Sequence, residues 1–420
     1  MIISACVASS WPVIINPELD QWDGKRRRYV NLFPPTYGYL EESAYDKIEF
    51  RKSHEIGERE YALLTDPRGD IDRSKGYDAA EYTVTPDMDL LHYPVHDIQI
   101  TWIRHATFLI QLGEKYQILV DPVLAEIDGM AGSTMKYADT MELFADPPLT
   151  VRDLPLSAES ENPGEIKITV VAISHDHFDH LNYNTLKQLP AETHYYVPRG
   201  MQTEFPSRYS DVTGMDWYTR DTLGEFTIHF LPANHRSGRS MYESNQTLWG
   251  GWLFEWNNQR VYFSGDTGYS DVFKDMRKRY GEFDICLMPI SAYFQRSWHF
   301  TPEDAIQASA DLGCKTLIPW GWGTWIMSFE HILEPPRRLQ YAFDRMQPEH
   351  MELRMLKMAR PSPRMRHRMK CNLHPSRIFV PSFSKWILIE GPLLFTNISC
   401  YIFLDKNSLV AKLLFYDRFQ

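Results

Sequence analysis

The sequence predicts an α/β fold in which two stacked sheets carry helices on their outer faces. Apolar segments of strand length and segments of helical pattern alternate from about residue 98 to about residue 340, and such alternation is typical of layered α/β domains. The chain has 420 residues, of which 43% are hydrophobic and 24% are charged. A chain of this length and composition can bury a large core, so we expect one large globular domain with extensions.

Short apolar runs bounded by turn-forming residues predict the strands. Those before Asp121 form a predicted meander, and further strands follow a histidine-rich loop. The predicted strands are 98–103, 108–112, 116–120, 167–173, 193–197, 226–231, 251–255 and 260–263. One helix is predicted over 271–280. A second begins at Thr301, where a Thr N-cap, a Pro in the first turn and a nearby acid form a start signal.

Composition divides the chain into three parts. Residues 1–96 contain many Pro, Tyr and charged residues without a sustained period, and we interpret them as an arm that wraps the core. Residues 97–358 form the predicted core domain, in which residues 123–165 are interpreted as a long insertion or lid. A break rich in Pro and Arg separates residues 359–420, a tail for which the sequence predicts no role.

The charge balance disfavours nucleic acid as a partner. The formal net charge is -11 and the pI is near 5.8, whereas phosphate backbones require a basic protein face. The dense basic run Lys25–Arg28 is interpreted as a solvated surface because the rest of the chain is acidic.

Cysteine usage and the chain ends indicate a cytoplasmic protein. Five cysteines are scattered without C-x-x-C spacing, so we expect neither a disulfide framework nor a thiolate zinc site, and a reducing compartment fits best. Residues 1–16 lack a basic region and a cleavage site. Residues 386–404 are too polar for a membrane-spanning helix. Membrane association is the alternative location.

The run Ser174–Leu181 places three imidazoles and a carboxylate directly after an apolar strand. Neutral imidazole and carboxylate are preferred ligands of zinc and similar divalent ions, and four of them on one loop can divide between two metals. A polar turn with solvated histidines is the alternative, but ligands at the end of a buried strand are held rigidly. The predicted ligands in this loop are His175, His177, Asp179 and His180.

Two residues farther along the chain also follow apolar strands and are predicted to complete the site. His235 lies in a turn after the strand 226–231 and is predicted to be the third ligand of the first metal. Asp266 lies between two glycines after the strand 260–263, and its carboxylate can reach two metals at once. A buried core histidine and an Asx turn are the respective alternatives.

Together these residues resemble the metallo-β-lactamase fold superfamily. The H-x-H-x-D-H run, the later histidine and the Gly-Asp-Thr-Gly segment occur in the order typical of that superfamily. More narrowly, several motifs resemble the branch that contains N-acyl-phosphatidylethanolamine-hydrolysing phospholipase D and its bacterial relatives. These motifs are Thr101–Thr107, Val120–Pro122, Ile173–Leu181, Pro232–His235 and His331–Pro336, with a weaker match at Tyr29–Pro34.

The resemblance implies a four-layer αββα sandwich with two zinc ions between the sheet edges. It implies one ion bound by three histidines, a second bound by a carboxylate and a histidine, and a bridging carboxylate. The residues are His175, His177 and His235 for the first ion, Asp179 and His180 for the second, and Asp266 as the bridge.

One position departs from the family pattern. Related sequences carry a histidine ligand in an I-H-W-G-T segment, whereas this chain has Gly321 at that position. The second metal site is therefore expected to be weakened, and manganese or iron becomes an alternative to zinc there. His299 and His331 are the nearest candidates to replace the missing ligand.

The expected function is metal-dependent hydrolysis of a phospholipid phosphodiester of the N-acylphosphatidylethanolamine type through a metal-bound hydroxide that Asp179 orients. By the resemblance, His299 lies near the reacting phosphate and stabilises an oxyanion or protonates the leaving group. Trp249, Trp252 and Trp320 are candidates to line an acyl-chain groove, with burial in the core as the alternative.

Two other functions remain open on the sequence. One is a lactonase or esterase that acts on a small soluble substrate, and detergent dependence would separate it from a lipid hydrolase. The other is a degenerate metal-binding protein that lost its chemistry with the missing histidine. The sequence predicts a phospholipid or small ester as the partner, with peripheral membrane contact, and it predicts no oligomeric state.

Overall fold

A computed structural model describes most of the chain between residues 82 and 359 and shorter parts elsewhere. The described residues are 12–19, 22–23, 28–36, 82–94, 96–125, 142–143, 149–156, 168–206, 208–209, 211–239, 245–328, 330, 332–359, 387–389, 398–403 and 412–417. The chain divides into two units, Met1–Ser362 and Pro363–Gln420. The division into 1–96, 97–358 and 359–420 remains a prediction.

Strands make up most of the regular structure in the described residues. In chain order they are β1 Val13–Ile14, β2 Trp22–Asp23, β3 Arg28–Tyr29, β4 Thr83–Val84, β5 Ile98–Arg104, β6 Thr107–Leu112, β7 Tyr116–Val120, β8 Glu142–Leu143, β9 Ile168–Ala172, β10 His194–Pro198, β11 Val212–Met215, β12 Thr219–Leu223, β13 Phe226–Pro232, β14 Gly250–Trp256, β15 Gln259–Phe263, β16 Ile285–Pro289, β17 Thr316–Trp320, β18 Trp325–Ile326, β19 Glu352–Leu353, β20 Met358–Ala359, β21 Ile387–Ile389, β22 Ile398–Phe403 and β23 Lys412–Asp417.

The helices lie between these strands. They are α1 Met88–His92, α2 Tyr183–Leu186, α3 Val272–Tyr280, α4 Pro302–Leu312 and α5 Glu334–Met346. Single 3-10 turns occur at Val151–Asp153, Met201–Glu204 and Tyr293–Gln295. In the described residues, no helix is long and apolar enough to span a bilayer.

The first large sheet has the strand order β1-β11-β10-β9-β7-β6-β5. Strands β5, β6 and β7 form the predicted antiparallel meander, in which Ile110 pairs with Ile100 and with Ile118. The remaining neighbours from β7 to β1 pair in parallel, so Ile118 also pairs with Val170. The arm strand β1 therefore extends this sheet rather than forming a separate one.

The second large sheet has the order β12-β13-β14-β15-β16-β17-β19. Its first four strands are antiparallel, and the strands from β15 to β19 are parallel. Parallel neighbours require a crossover connection, and α3 and α4 supply it between β15, β16 and β17.

Apolar side chains from the two sheets form one buried core between them. Phe108 and Ile110 of the first sheet belong to the same buried cluster as Trp252 and Phe263 of the second. The alternate residue Leu109 belongs to a second cluster, which also contains Leu181 and Leu186 near α2. Because successive strand residues point to opposite faces, this second cluster covers the outer face of the first sheet.

The helices α3 and α4 pack on the second sheet. Phe273 and Ile306 are fully buried against the strands that their helices connect. Helices therefore lie outside the two packed sheets, and the predicted α/β sandwich is confirmed. The smaller unit is described only as a three-stranded antiparallel sheet of β21, β22 and β23.

The expectation of no disulfide is wrong. Cys286 on β16 and Cys314 just before β17 form a disulfide, with Cα atoms 6.2 Å apart. Their spacing in sequence does not reveal this contact, because the helix α4 lies between them and the parallel pairing of β16 with β17 brings them together.

The start signal of α4 is confirmed. The Thr301 hydroxyl accepts a hydrogen bond from the Asp304 backbone nitrogen at 3.0 Å, and the Asp304 carboxylate accepts one from the Thr301 nitrogen at 3.3 Å. This reciprocal capping box satisfies two backbone donors that the helix leaves unpaired.

The cap leads to a stability prediction. Thr301→Ala removes the hydroxyl that accepts the Asp304 hydrogen bond, so we expect the free energy of unfolding to fall by about 1 kcal/mol. Thr301→Ser keeps the hydroxyl and serves as the matched control. Urea unfolding of the three proteins checks this, and equal midpoints for the Ala and Ser variants would contradict the assigned cap.

Candidate metal centre

The histidine-rich loop follows β9 and is held in place by buried hydrogen bonds. The Ser174 nitrogen and hydroxyl donate to the two carboxylate oxygens of Asp121 at 2.7 Å and 2.6 Å. The Asp176 carboxylate accepts from the Gly238 nitrogen at 2.6 Å. Arg239 donates to the backbone oxygens of Asp176 and Leu181. The loop that carries the predicted ligands is therefore fixed from both sides.

A first group of metal-binding side chains consists of His175, His177, His235 and Asp266. The Nδ1 atom of His177 lies 2.8 Å from Nε2 of His175 and 3.3 Å from Nε2 of His235. Oδ2 of Asp266 lies 4.0 Å and 3.8 Å from the same two Nε2 atoms. The structure thus brings together the four residues that the sequence predicted for the first ion and the bridge.

A second group consists of His105, Asp179 and His180. Oδ2 of Asp179 lies 3.1 Å from Nε2 of His105 and 3.5 Å from Nε2 of His180. Asp179 and His180 were predicted for the second ion. His105 was not predicted.

Asp266 lies where the two groups meet. Its Oδ2 atom is 3.2 Å from Nε2 of His180 in the second group, and it is also within 4.0 Å of the first-group nitrogens. One carboxylate oxygen therefore faces both groups, as a bridging ligand requires. The strand β15 ends at Phe263 and places this carboxylate at the sheet edge.

Hydrogen bonds on the far side of the imidazoles orient their free nitrogens into the site. Nδ1 of His235 donates to the backbone oxygen of Trp298 at 3.0 Å. Nδ1 of His180 pairs with Asp121 at 2.6 Å, and Nδ1 of His175 contacts the Ser174 hydroxyl at 2.9 Å. These partners occupy Nδ1 and direct Nε2 of each ring into the site, which is the usual arrangement of metal-binding histidines.

The electrostatics keep the first group neutral. Burial lowers the pKa of His177 to about 4. Burial, followed by the neighbouring imidazoles, lowers the pKa of His175 well below its ordinary value. Burial also lowers the pKa of His235 in the same way. At neutral pH each of these rings is uncharged, with one N–H group and one nitrogen lone pair, and a lone pair is what a metal ligand needs.

The second group is electrostatically different. Burial alone would lower the pKa of His180, but the carboxylates of Asp266, Asp179 and Asp121 outweigh burial and raise it well above its ordinary value. Burial would raise the pKa of Asp179 and Asp266, but the His180 charge, its hydrogen bonds and the other neighbouring histidines together outweigh burial and hold both pKa values well below their usual range. This side of the site thus favours positive charge.

These residues fit divalent metal ions. Nε2 of His180 is fully buried and has no hydrogen-bond partner among the described residues, although it lies between two carboxylates. In the first group, three imidazole nitrogens lie close together, and the neutral rings do not carry enough N–H protons for every close pair to form a hydrogen bond. A metal ion near each group would satisfy these atoms, and imidazole with carboxylate is a donor set suited to zinc.

The N-terminal arm contributes to the site. The side-chain amide of Asn31 donates to the backbone oxygen of His235 at 3.1 Å, and its oxygen accepts from the His235 nitrogen at 3.3 Å. The same oxygen accepts from Nε1 of Trp249 at 2.9 Å. Asn31 therefore fixes the turn that carries a predicted ligand.

The sequence analysis missed His105 and the role of Asp121. His105 directly follows β5 and Asp121 directly follows β7, just as His235 and Asp266 follow later strands. The search for His, Asp or Glu directly after an apolar strand covered only the part of the chain that follows the histidine loop. The same search in the part before the loop would have found both residues.

Of the two candidates to replace the missing ligand, His299 is not part of the second group. Nδ1 of His299 lies 3.8 Å from Oδ2 of Asp266, and its ring packs on His235 with centroids 5.0 Å apart. His299 therefore stands beside the first group, and its proposed catalytic position is retained. His331 lies outside the described residues.

The three tryptophans proposed for a substrate groove are buried in the core. Trp249 and Trp252 are fully buried between the sheets and do not line the pocket beside the metal site. For these two, the alternative interpretation as core residues fits the structure, because the ends of β13 and β15 enclose them. Trp320 is also fully buried, but one edge of it lines that pocket.

A pocket of about 40 Å³ opens beside the two ligand groups. Asp179, Asp266 and His299 form its floor near the metal centre, and Gly321 lies in its wall. Aromatic and aliphatic side chains also line the pocket. These side chains are Trp322, Trp325, Met327, Ile332 and Pro335.

Comparisons with known proteins agree with this geometry. Residues 116–322 match the family model described as a beta-lactamase superfamily domain. The N-acyl-phosphatidylethanolamine-hydrolyzing phospholipase D 1 of Caenorhabditis elegans is 31% identical over 263 residues, which are 58% of this chain and 69% of that relative. The mitochondrial N-acyl-phosphatidylethanolamine-hydrolyzing phospholipase D of Saccharomyces cerevisiae is 29% identical over 188 residues, 41% of this chain and 40% of that relative.

Among solved structures, the metallo hydrolase Igni18 of Ignicoccus hospitalis aligns with 62% of this chain and 96% of its own. The identity is 16% and the TM-score is 0.45, so the likeness adds nothing to the sequence matches. The fold and the two ligand groups define a metal-dependent hydrolase. The chain belongs to the metallo-β-lactamase superfamily.

The buried pair of Asp121 and His180 leads to a prediction on metal affinity. Asp121→Asn keeps the shape but removes the charge that orients His180, so we expect the second ion to bind about 10- to 100-fold more weakly. Asp216→Asn, which alters another fully buried carboxylate, is the matched control. Competition with a chelator, read by elemental analysis, measures the affinity, and an unchanged value for Asp121→Asn would count against this role.

Proposed function

We propose that this chain is a phosphodiesterase that hydrolyses a phospholipid of the N-acylphosphatidylethanolamine type. The observation that carries the proposal is the pair of ligand groups that share Oδ2 of Asp266 beside an open pocket. A pair of divalent ions, when bound, supplies the Lewis acid and the activated water for such hydrolysis. We propose zinc, with manganese or iron as alternatives for the second ion, because the donors are imidazole and carboxylate.

The substrate class is supported by the relatives and by the pocket. Two relatives from different organisms are named N-acyl-phosphatidylethanolamine-hydrolyzing phospholipase D. The pocket combines ionisable groups near the metal centre with an aromatic and aliphatic wall. A phospholipid offers a charged phosphodiester and apolar chains, which match these two parts.

Two side chains have proposed roles in the reaction. Asp179 is ionised at neutral pH, and its carboxylate can accept a hydrogen bond from the attacking water and orient it. Burial lowers the pKa of His299, so its imidazole is neutral. From the pocket floor, its N–H group can donate a hydrogen bond to a phosphoryl oxygen or to the leaving alkoxide.

Arg236 is a further candidate to bind the phosphate. It is exposed, and its guanidinium carbon lies 4.4 Å from the ring centroid of Trp298. Burial is the main cause of the lowered pKa of His177 and His299, and the Arg236 charge adds to it. A cation this close to both histidines can attract an anionic phosphodiester to the site.

Contact with a lipid surface through peripheral membrane association belongs to the proposal, whereas the Cys286–Cys314 disulfide removes the cysteine argument for the cytoplasm. Large apolar side chains are exposed in the described parts of the arm and near α1, and such side chains can insert into a bilayer surface. They are Ile15, Trp22, Val30, Val84, Leu90 and Tyr93.

The substrate test uses N-acylphosphatidylethanolamine in mixed micelles, with products identified by mass spectrometry. We expect phosphatidic acid and N-acylethanolamine from the wild-type chain. Asp179→Asn should lower turnover by a factor of about 100 or more, because it removes a ligand and the group that orients the water. Asp271→Asn, an exposed carboxylate at the start of α3, should leave turnover unchanged.

The other outcomes of this test decide between the alternatives. Hydrolysis of a soluble lactone or ester with no cleavage of the phospholipid would replace the proposal with the lactonase or esterase function. Binding of metal without hydrolysis of either substrate would favour a non-catalytic protein.

Arg236 leads to a prediction that separates charged from neutral substrates. Arg236→Gln removes the cation but keeps a polar side chain, so we expect KM for the phosphodiester to rise about tenfold. KM for a neutral ester should stay the same, and Arg236→Lys should recover part of the loss. Steady-state kinetics on both substrates checks this, and an equal change for the neutral ester would show that the effect is not electrostatic.

A further inference from the structure

The ligand atoms of the second group have the spacing of a metal's coordination shell. A tetrahedral ion with ligands at about 2.0–2.1 Å holds neighbouring ligand atoms about 3.3 Å apart. Nε2 of His105 lies 3.1 Å from Oδ2 of Asp179, which lies 3.5 Å from Nε2 of His180. Nε2 of His180 in turn lies 3.2 Å from Oδ2 of Asp266. The ligand atoms of His105, Asp179 and His180 thus lie within 4.8 Å of one another, and Oδ2 of Asp266 adjoins them beside His180.

We propose that His105 is a protein ligand of the second metal ion. The inference rests on the metal centre proposed above and not on the identity of the substrate. It completes a set of two histidines and two carboxylates, with Asp266 shared between the ions.

The backbone of His105 is fixed in a way that holds the ring in this position. His105 has a left-handed backbone conformation with φ of 41°, which residues other than glycine rarely adopt. Its nitrogen donates to the Thr324 hydroxyl at 2.9 Å, and its oxygen accepts from Nε1 of Trp102 at 2.9 Å. The ring also packs edge to face on Trp325, with centroids 5.0 Å apart. The imidazole is therefore buried, with Nε2 3.1 Å from Oδ2 of Asp179.

The end of strand β17, where related sequences carry a histidine ligand, offers no side-chain donor to the second group. Gly321 directly follows β17 and lacks a side chain, and its backbone has φ of 93°. A Cβ atom there would approach the Ser291 hydroxyl to 3.0 Å, so a side chain would be strained at this position. Of the histidines in the described residues, His105 and His180 are the two whose rings reach Asp179.

A different role for His105 is a hydrogen bond that only orients Asp179. The two roles predict different metal affinities for the variant His105→Gln, in which an amide replaces the imidazole. Glutamine can still donate a hydrogen bond to a carboxylate, but it is a poor replacement for an imidazole ligand. Loss of an outer hydrogen-bonding partner typically weakens metal binding about 10- to 100-fold, whereas loss of a ligand should weaken it more.

The test counts metal ions per chain and measures the affinity of the second ion. Wild type, His105→Ala, His105→Gln and His194→Ala are purified, stripped and titrated with Zn²⁺ under competition by a chelator. His194 lies on β10 and pairs with Asp211, so it controls for loss of a histidine outside the site. We expect two ions in wild type and His194→Ala, and one tight ion in both His105 variants, with the second bound more than about 100-fold more weakly.

Cobalt titration gives a second readout that does not depend on activity. The visible absorption of the second equivalent of Co²⁺ should change in both His105 variants, because band position and intensity follow the ligand set. Two tight ions in either variant, or one ion in wild type, would overturn the proposal. If His105→Ala does not fold, His105→Gln decides. Two tight ions in wild type with no cleavage of the phospholipid would leave this proposal standing while rejecting the proposed substrate.

Discussion

The burial of several carboxylates in one small region is the constraint on which the rest of this structure depends. Asp121, Asp179 and Asp266 are buried around a single imidazole, His180. Buried carboxylates are unfavourable unless a positive charge or several hydrogen bonds accompany them. Divalent ions would supply that charge, so the site is arranged for cations before any substrate arrives. The two sheets pack so that strand ends from both deliver these groups to one place.

The sequence predicted the parts of the fold that depend on local pattern. The eight predicted strands and both predicted helices are present, since apolar runs and the Thr301 capping box act within a few residues. Contacts that depend on long-range pairing were not predicted, namely the Cys286–Cys314 disulfide and the approach of His105 to Asp179.

The same distinction separates the predicted and unpredicted parts of the site. His175, His177 and His180 occur in one short run, so their type and spacing are visible in the sequence. Trp249 and Trp252 could not be assigned in this way, because burial depends on the packing of β13 against β14 and β15. The same limit applies to predicting function from the sequence. The family can be identified from the sequence, whereas the substrate depends on a pocket lined by residues that are distant in the chain.

The most direct test of a two-metal centre is anomalous X-ray diffraction from crystals of the full chain, purified without chelator and grown with Zn²⁺, with data collected on both sides of the zinc absorption edge. The account predicts two anomalous peaks about 3.5–4 Å apart, as in two-metal hydrolases. One peak should lie near His175, His177 and His235, the other near Asp179 and His180, with Asp266 between them. A single peak, or two peaks that do not share Asp266, would contradict the account.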